Sequence, residues 1–125
     1  MTFAGEATLS KILVVDDELQ VAKSLQRLLR QAKFEVAIAN DGASALVALD
    51  QFSPDLVISD YRMPVMNGAE LVREIHRRRP LVVCMLLSGY VGADDTECDC
   101  FTKPFDGKQL VASIKQRLAD GVGKP

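Results

Sequence analysis

The chain has 125 residues, 48% apolar and 26% charged, the balance of one soluble globular domain rather than a disordered segment. Its formal charge of −2 offers no broad attraction to nucleic acid or to anionic membrane, so direct contact with either is not expected. No apolar run has the length of a membrane-spanning helix and Met1–Ser10 lacks the basic-then-apolar pattern of a signal peptide, so a cytoplasmic chain is expected.

Residues 1–10 show no periodicity and read as a flexible arm. Lys11-Ile12-Leu13-Val14-Val15 is a short, nearly continuous apolar run, as in a strand buried on both faces, and it ends in Asp16-Asp17-Glu18. Val21, Leu25, Leu28 and Ala32 then recur at helical spacing, with Lys23, Arg27 and Arg30 on other faces. Phe34–Ala39 predicts a second strand, and Asn40-Asp41-Gly42 a turn whose Asp41 caps a helix carrying Ala45, Leu46 and Leu49.

Ser53-Pro54 breaks that helix, and Leu56–Asp60 predicts a third strand that runs straight into a carboxylate. Pro64 and Asn67-Gly68 shape the following loop. Ala69–Arg79 predicts a helix burying Leu71, Val72 and Ile75, ended by Pro80. Leu81–Leu87 is the most apolar run, a central strand leading into Ser88-Gly89-Tyr90. From Val91 to Cys98 the alternation fails, and a single turn or loop is expected. Cys100–Thr102 predicts a short fifth strand before Lys103-Pro104, and Asp106-Gly107 opens a last helix striped by Leu110, Val111, Ile114 and Leu118. Residues 120–125 remain as a tail.

Of the three cysteines, Cys84 reads as a small core residue. Cys98 and Cys100 supply too few ligands for a closed zinc site, and free thiols are expected.

Strands alternating with helices predict a parallel sheet covered on both faces. Right-handed crossovers then bring every strand-to-helix loop to the carboxyl edge of the sheet. Asp16, Asp17, Asp60, Ser88 and Lys103 all end strands at that edge, where open parallel sheets bind their ligands. Each alone reads as a cap, a turn former or a solvated cation. Together they pose a charge problem, because three crowded carboxylates repel one another. One lysine and one divalent cation would balance them, and an oxygen-only donor set suits Mg²⁺. Asp60 could then act as a nucleophile toward a phosphoryl group, with Lys103 and Ser88 stabilising the transferring oxygens.

Ile12–Glu18, Leu56–Asp60, Met63-Pro64 with Asn67-Gly68, Ser88-Gly89 and Lys103-Pro104-Phe105 resemble, in this order, the receiver domain of bacterial two-component response regulators. The resemblance spans residues 11–119. It implies a flavodoxin-like fold, a doubly wound five-stranded parallel sheet of order 2-1-3-4-5. It also implies a phosphorelay function without turnover of an external metabolite: Asp60 as phosphoacceptor, Asp16 and Asp17 as an acidic pocket holding Mg²⁺ with Asp60 and the Arg62 backbone carbonyl, Ser88 as switch hydroxyl, and Lys103 on the phosphoryl group. The implied partners are a sensor histidine kinase or histidine phosphotransfer protein and a downstream effector or output domain.

Two features depart from the family pattern. Fourteen residues, 89–102, separate Ser88 from Lys103, so the fourth helix is expected to be truncated or absent. Cys100 stands where many members carry Tyr or Phe, three residues before the lysine. Arg62 and Tyr90 flank the expected phosphoryl site, at positions that tune acyl-phosphate lifetime in the family. Two other classes fit the residues less well. A hydrolase of the haloacid dehalogenase type would carry a second Asp two residues after the nucleophile, where this chain has Arg62. A phosphorylation-independent binding module on the same fold has no need of the full acidic set with Lys103, while the short fourth-helix region leaves that class open.

Overall fold

The computed structural model describes residues 9–88, 99–102 and 106–121. Strands β1 (Lys11–Val15), β2 (Glu35–Ala39), β3 (Leu56–Asp60), β4 (Val83–Ser88) and β5 (Asp99–Thr102) form one sheet. Helices α1 (Leu19–Gln31), α2 (Gly42–Phe52), α3 (Gly68–Arg78) and α4 (Gly107–Gly121) connect or follow them. The spatial order is β2-β1-β3-β4-β5, and each neighbouring pair is parallel.

The sheet is doubly covered because β1, β3 and β4 are apolar along most of their length, and the pleat sends alternate side chains to opposite faces. Ile12, Val14, Leu56, Ile58, Val83, Met85 and Leu87 point to one face, where Leu25 and Leu29 of α1 and Leu110 and Ile114 of α4 close the core. Leu13, Val15, Val57, Cys84 and Leu86 point to the other, against Ala45 and Leu49 of α2 and Leu71, Val72 and Ile75 of α3. Cys84 is a core residue as expected, 2% exposed.

The helix ends have local causes. The Asp41 side chain accepts from the Ser44 amide at 2.7 Å and caps α2. Asn67 accepts from the Glu70 amide while Glu70 accepts from the Asn67 amide, both at 2.9 Å, a reciprocal capping box that starts α3. Ser53 at φ 53° closes α2, and Lys33 at φ 75° turns the chain from α1 into β2. Ten residues, 89–98, lie between β4 and β5, and the expected shortening of the fourth helix falls on them, outside the described residues.

Candidate functional site: an acidic pocket at the carboxyl edge

The register fixes where the carboxylates meet. Val15 of β1 lies opposite Ser59 of β3, and Asp60 lies opposite Leu87 of β4. The residues that follow β1 and end β3 therefore emerge side by side at the sheet's carboxyl edge. Carboxylate oxygens of Asp16, Asp17 and Asp60 come within 4.8 Å of one another.

The three aspartates are held differently. Asp16 is 1% exposed; its amide donates to the Ala39 carbonyl at 3.1 Å, and its Oδ1 accepts from the Glu18 amide at 2.9 Å. It is thus locked between the end of β2 and the entry to α1. Asp17 is exposed and faces the pocket mouth. Asp60 is 9% exposed, at the last position of a strand buried throughout. Such an arrangement supplies hard, anionic oxygen ligands, one side of which opens to solvent. That donor set fits Mg²⁺, which keeps several waters and uses few carboxylates.

The backbone beneath Asp60 is tightly fitted. The Tyr61 amide donates to the Leu87 carbonyl and the Gly68 amide to the Tyr61 carbonyl, both at 2.8 Å, so the loop after β3 closes on itself. A Cβ at Gly68 would lie 2.5 Å from the Asp60 carbonyl oxygen and 2.7 Å from Leu86 Cδ2. Glycine is required here by close approach of α3 to the strand end. Buried Ser59 donates its hydroxyl to the Asp60 carbonyl at 2.9 Å. Ser59 reads as one more strand residue; Asn67-Gly68 belongs to the motif set that carries the resemblance, but as a turn, with nothing in the sequence to signal its close approach to the strand end.

Arg62 is exposed and, with Tyr61, Met63, Pro64 and Asn67, lines an open cleft of about 500 Å³ beside the acidic pocket. Ser88 ends β4 and Cys100 lies in β5, opposite Thr102 and Leu86 respectively, but their side chains are outside the described residues. Lys103 and Tyr90 lie outside them entirely.

The family model for the response regulator receiver domain matches residues 12–115. The DNA-binding response regulator MtrA of Mycolicibacterium paratuberculosis is 34% identical over 121 residues, covering 92% of this chain and 54% of that protein. The chain thus spans about half the length of the curated relatives it matches. A CheY-like receiver domain from Methanospirillum hungatei superposes with a TM-score of 0.84 at 25% identity, over 91% of this chain and 97% of that one. TrrA of Thermotoga maritima, solved with Mg²⁺ and beryllium fluoride, gives 0.79 at 29% identity, over 86% and 98%. Among the described residues no helix is long and apolar enough to cross a membrane.

One expectation is corrected by these matches. The net charge argued against direct dealings with nucleic acid, yet the relatives this chain matches include regulators named for DNA binding. In those relatives the matched domain is about half of the protein, and the charge of one domain does not report on the other half. The match over 104 residues, 12–115, together with the flavodoxin-like parallel sheet and the acidic pocket at its carboxyl edge, identifies the chain as a member of the response regulator receiver domain family.

Proposed function

We propose that this receiver domain is phosphorylated on Asp60 in a Mg²⁺-dependent, self-catalysed step. The observation that carries the reading is the convergence of Asp16, Asp17 and Asp60 within 4.8 Å at the end of β3, with Asp60 on a backbone clamped by Ser59 and Gly68. An Asp60 carboxylate oxygen attacks the phosphorus of a phosphohistidine donor. The P–N bond breaks as the P–O bond forms, and the imidazole leaves with the electron pair.

Asp16, Asp17, Asp60 and the Arg62 backbone carbonyl are the groups that would hold Mg²⁺. The ion, when bound, offsets the negative charge of the pocket and of the incoming phosphoryl oxygens. Lys103 adds a second positive charge to those oxygens and Ser88 a hydrogen bond. Arg62, over its open cleft, and Tyr90 restrict the water that later hydrolyses the acyl phosphate, and Cys100 takes the place of the aromatic residue that couples to the switch in many relatives. Phosphorylation adds charge at a strand end, and movement of Ser88 toward it biases a two-state interaction surface.

The test is intact mass after incubation with Mg²⁺ and a small phosphodonor. One phosphoryl adduct is expected in the parent, none in Asp60→Asn and little in Asp17→Asn. An adduct that persists in Asp60→Asn, or one formed equally well in chelator, would sink the reading. Arg62→Ala and Tyr90→Ala are expected to change adduct lifetime rather than formation.

A further inference from the structure

The chain has four methionines, and Met63, Met66 and Met85 lie among the described residues. Met85 in β4 is 1% exposed and Met63 is 8% exposed, so the core shields both. Met66 is only partly buried, at the rim of the core that α2 and α3 cover. Of these three thioethers it is the one most open to a dissolved reagent. What it packs against gives that exposure a consequence.

Met66 is a peg set against the start of α2. A Cβ at Gly42 would lie 2.7 Å from Met66 Sδ, 3.1 Å from its Cβ and 3.3 Å from its Cγ. Three atoms of the side chain thus run along one buried glycine, beside the Asp41 cap. The Met66 amide donates to the Pro64 carbonyl at 2.7 Å, and the Gly68 amide to the Tyr61 carbonyl at 2.8 Å. Both bonds stay inside the loop after β3, whereas the Met66 side chain ties that loop to α2. Val65, just before it, holds φ 69° with its side chain fully exposed, so the chain turns Val65 outward and Met66 inward. Such a conformation persists in a β-branched residue only where its surroundings hold it. Asn67 and Gly68 follow at once; the first caps α3, and a Cβ on the second would lie 2.5 Å from the Asp60 carbonyl oxygen. Displacement of the peg is therefore passed within two residues to the backbone of Asp60.

We propose that Met66 is an oxidation site for hydroperoxides, and that its sulfoxide unseats the loop after β3 and so slows phosphoryl transfer. The slowing rests on Asp60 being the phosphoacceptor; the oxidation and the unseating do not. A sulfur lone pair attacks the terminal peroxide oxygen, and an S–O bond forms as the O–O bond breaks. The departing oxygen takes that oxygen's proton and leaves as water or an alcohol. Sulfur is oxidised by two electrons and the peroxide is reduced by two. The product is polar and chiral where the thioether was apolar and pliant. On the Gly42 side, where a methyl group would already crowd the sulfur, the added oxygen has no room, and the side chain leaves its seat.

The full chain is treated with hydrogen peroxide, then with dithiothreitol to reverse thiol oxidation, and digested for mass mapping. Gain of one oxygen is expected several-fold faster at Met66 than at Met63 or Met85. Amide hydrogen exchange over residues 61–68 should be about tenfold faster in the oxidised parent, and adduct formation from a small phosphodonor about tenfold slower. Met66→Leu fills the same seat without a thioether, so peroxide should leave both its exchange and its adduct formation unchanged. Methionine sulfoxide reductases acting on both epimers should restore the parent. Equal oxidation of the three methionines, unchanged exchange or adduct rate in the Met66 sulfoxide, or an equal loss in Met66→Leu would each overturn the proposal. An untreated parent that forms no adduct counts against phosphorylation of Asp60 instead, and mapping with exchange still decides whether oxidation of Met66 unseats the loop.

Discussion

Val65 shows how the loop after β3 departs from what its residue would choose. Its backbone sits at φ 69°, and its side chain is fully exposed. A β-branched residue in the left-handed region is strained, and here no burial compensates. Val65→Gly or Val65→Asn is expected to raise stability by about 1 kcal/mol, read as a higher urea midpoint. Gly68 is the converse case, where the small residue is indispensable. Gly68→Ala would press a methyl group onto the Asp60 carbonyl oxygen, 2.5 Å away, and onto Leu86. A loss of about 1–3 kcal/mol is expected, together with slower adduct formation on Asp60, because the shifted backbone is the one that carries the carboxylate. The sequence marks neither effect. Asn67-Gly68 reads as a turn whatever the distance to the next strand, and only the packed structure supplies that distance.

At the scale of elements, caps and exposed ion pairs hold the helices that position the site. Asn67→Ala removes one half of the capping box at the start of α3 and should cost about 1 kcal/mol in the same measurement. The pair Asn67 and Glu70 stands three apart in the sequence, so this box could be read without coordinates. Hydrogen bonds from Arg77 and then Arg78 lower the Glu74 pKa to about 2, and the Ser44 backbone amide lowers that of Asp41. Both are depressed in the folded chain, so their contribution is full above the unfolded carboxylate range and is lost as pH falls through the folded values. For Glu74 the window runs from about 4.5 down to about 2. Asp41 is exposed and Glu74 lies half-buried at the surface, so the effect is small and weakened by salt. Glu74→Gln should therefore flatten the acid side of the stability profile at low salt, and an unchanged slope would count against the ion pairs as contributors.

For the molecule as a whole, folding assembles the acidic pocket from two strands, and folding must bear its repulsion. Residues 16 and 17 meet residue 60 only because β1 and β3 pair in the register that sets Val15 opposite Ser59. An ion that binds this pocket and not the unfolded chain adds stability by mass action, about 2.7 kcal/mol at a hundredfold excess over its Kd. Mg²⁺ is expected to raise Tm in proportion to the logarithm of its concentration, chelator to reverse the rise, and Asp17→Asn to abolish most of it. A Tm indifferent to Mg²⁺ would refute the metal assignment while leaving the fold untouched.

The sequence alone determined the alternation of strands and helices, because unbroken apolar runs and 3.6-residue stripes are local signals that each element carries in itself. It also brought the polar strand ends to one edge, because the handedness of crossovers leaves them no other. Element ends moved by a residue or two: β4 was expected from Leu81 and begins at Val83, and α3 was expected from Ala69 and begins at Gly68. Those limits depend on ladder partners and caps rather than on composition. Tertiary structure alone decided which apolar residues share a face, how deeply Asp16 is buried and how closely Gly68 approaches Asp60. Depth and distance arise only when separate elements pack, and no stretch of chain encodes them by itself.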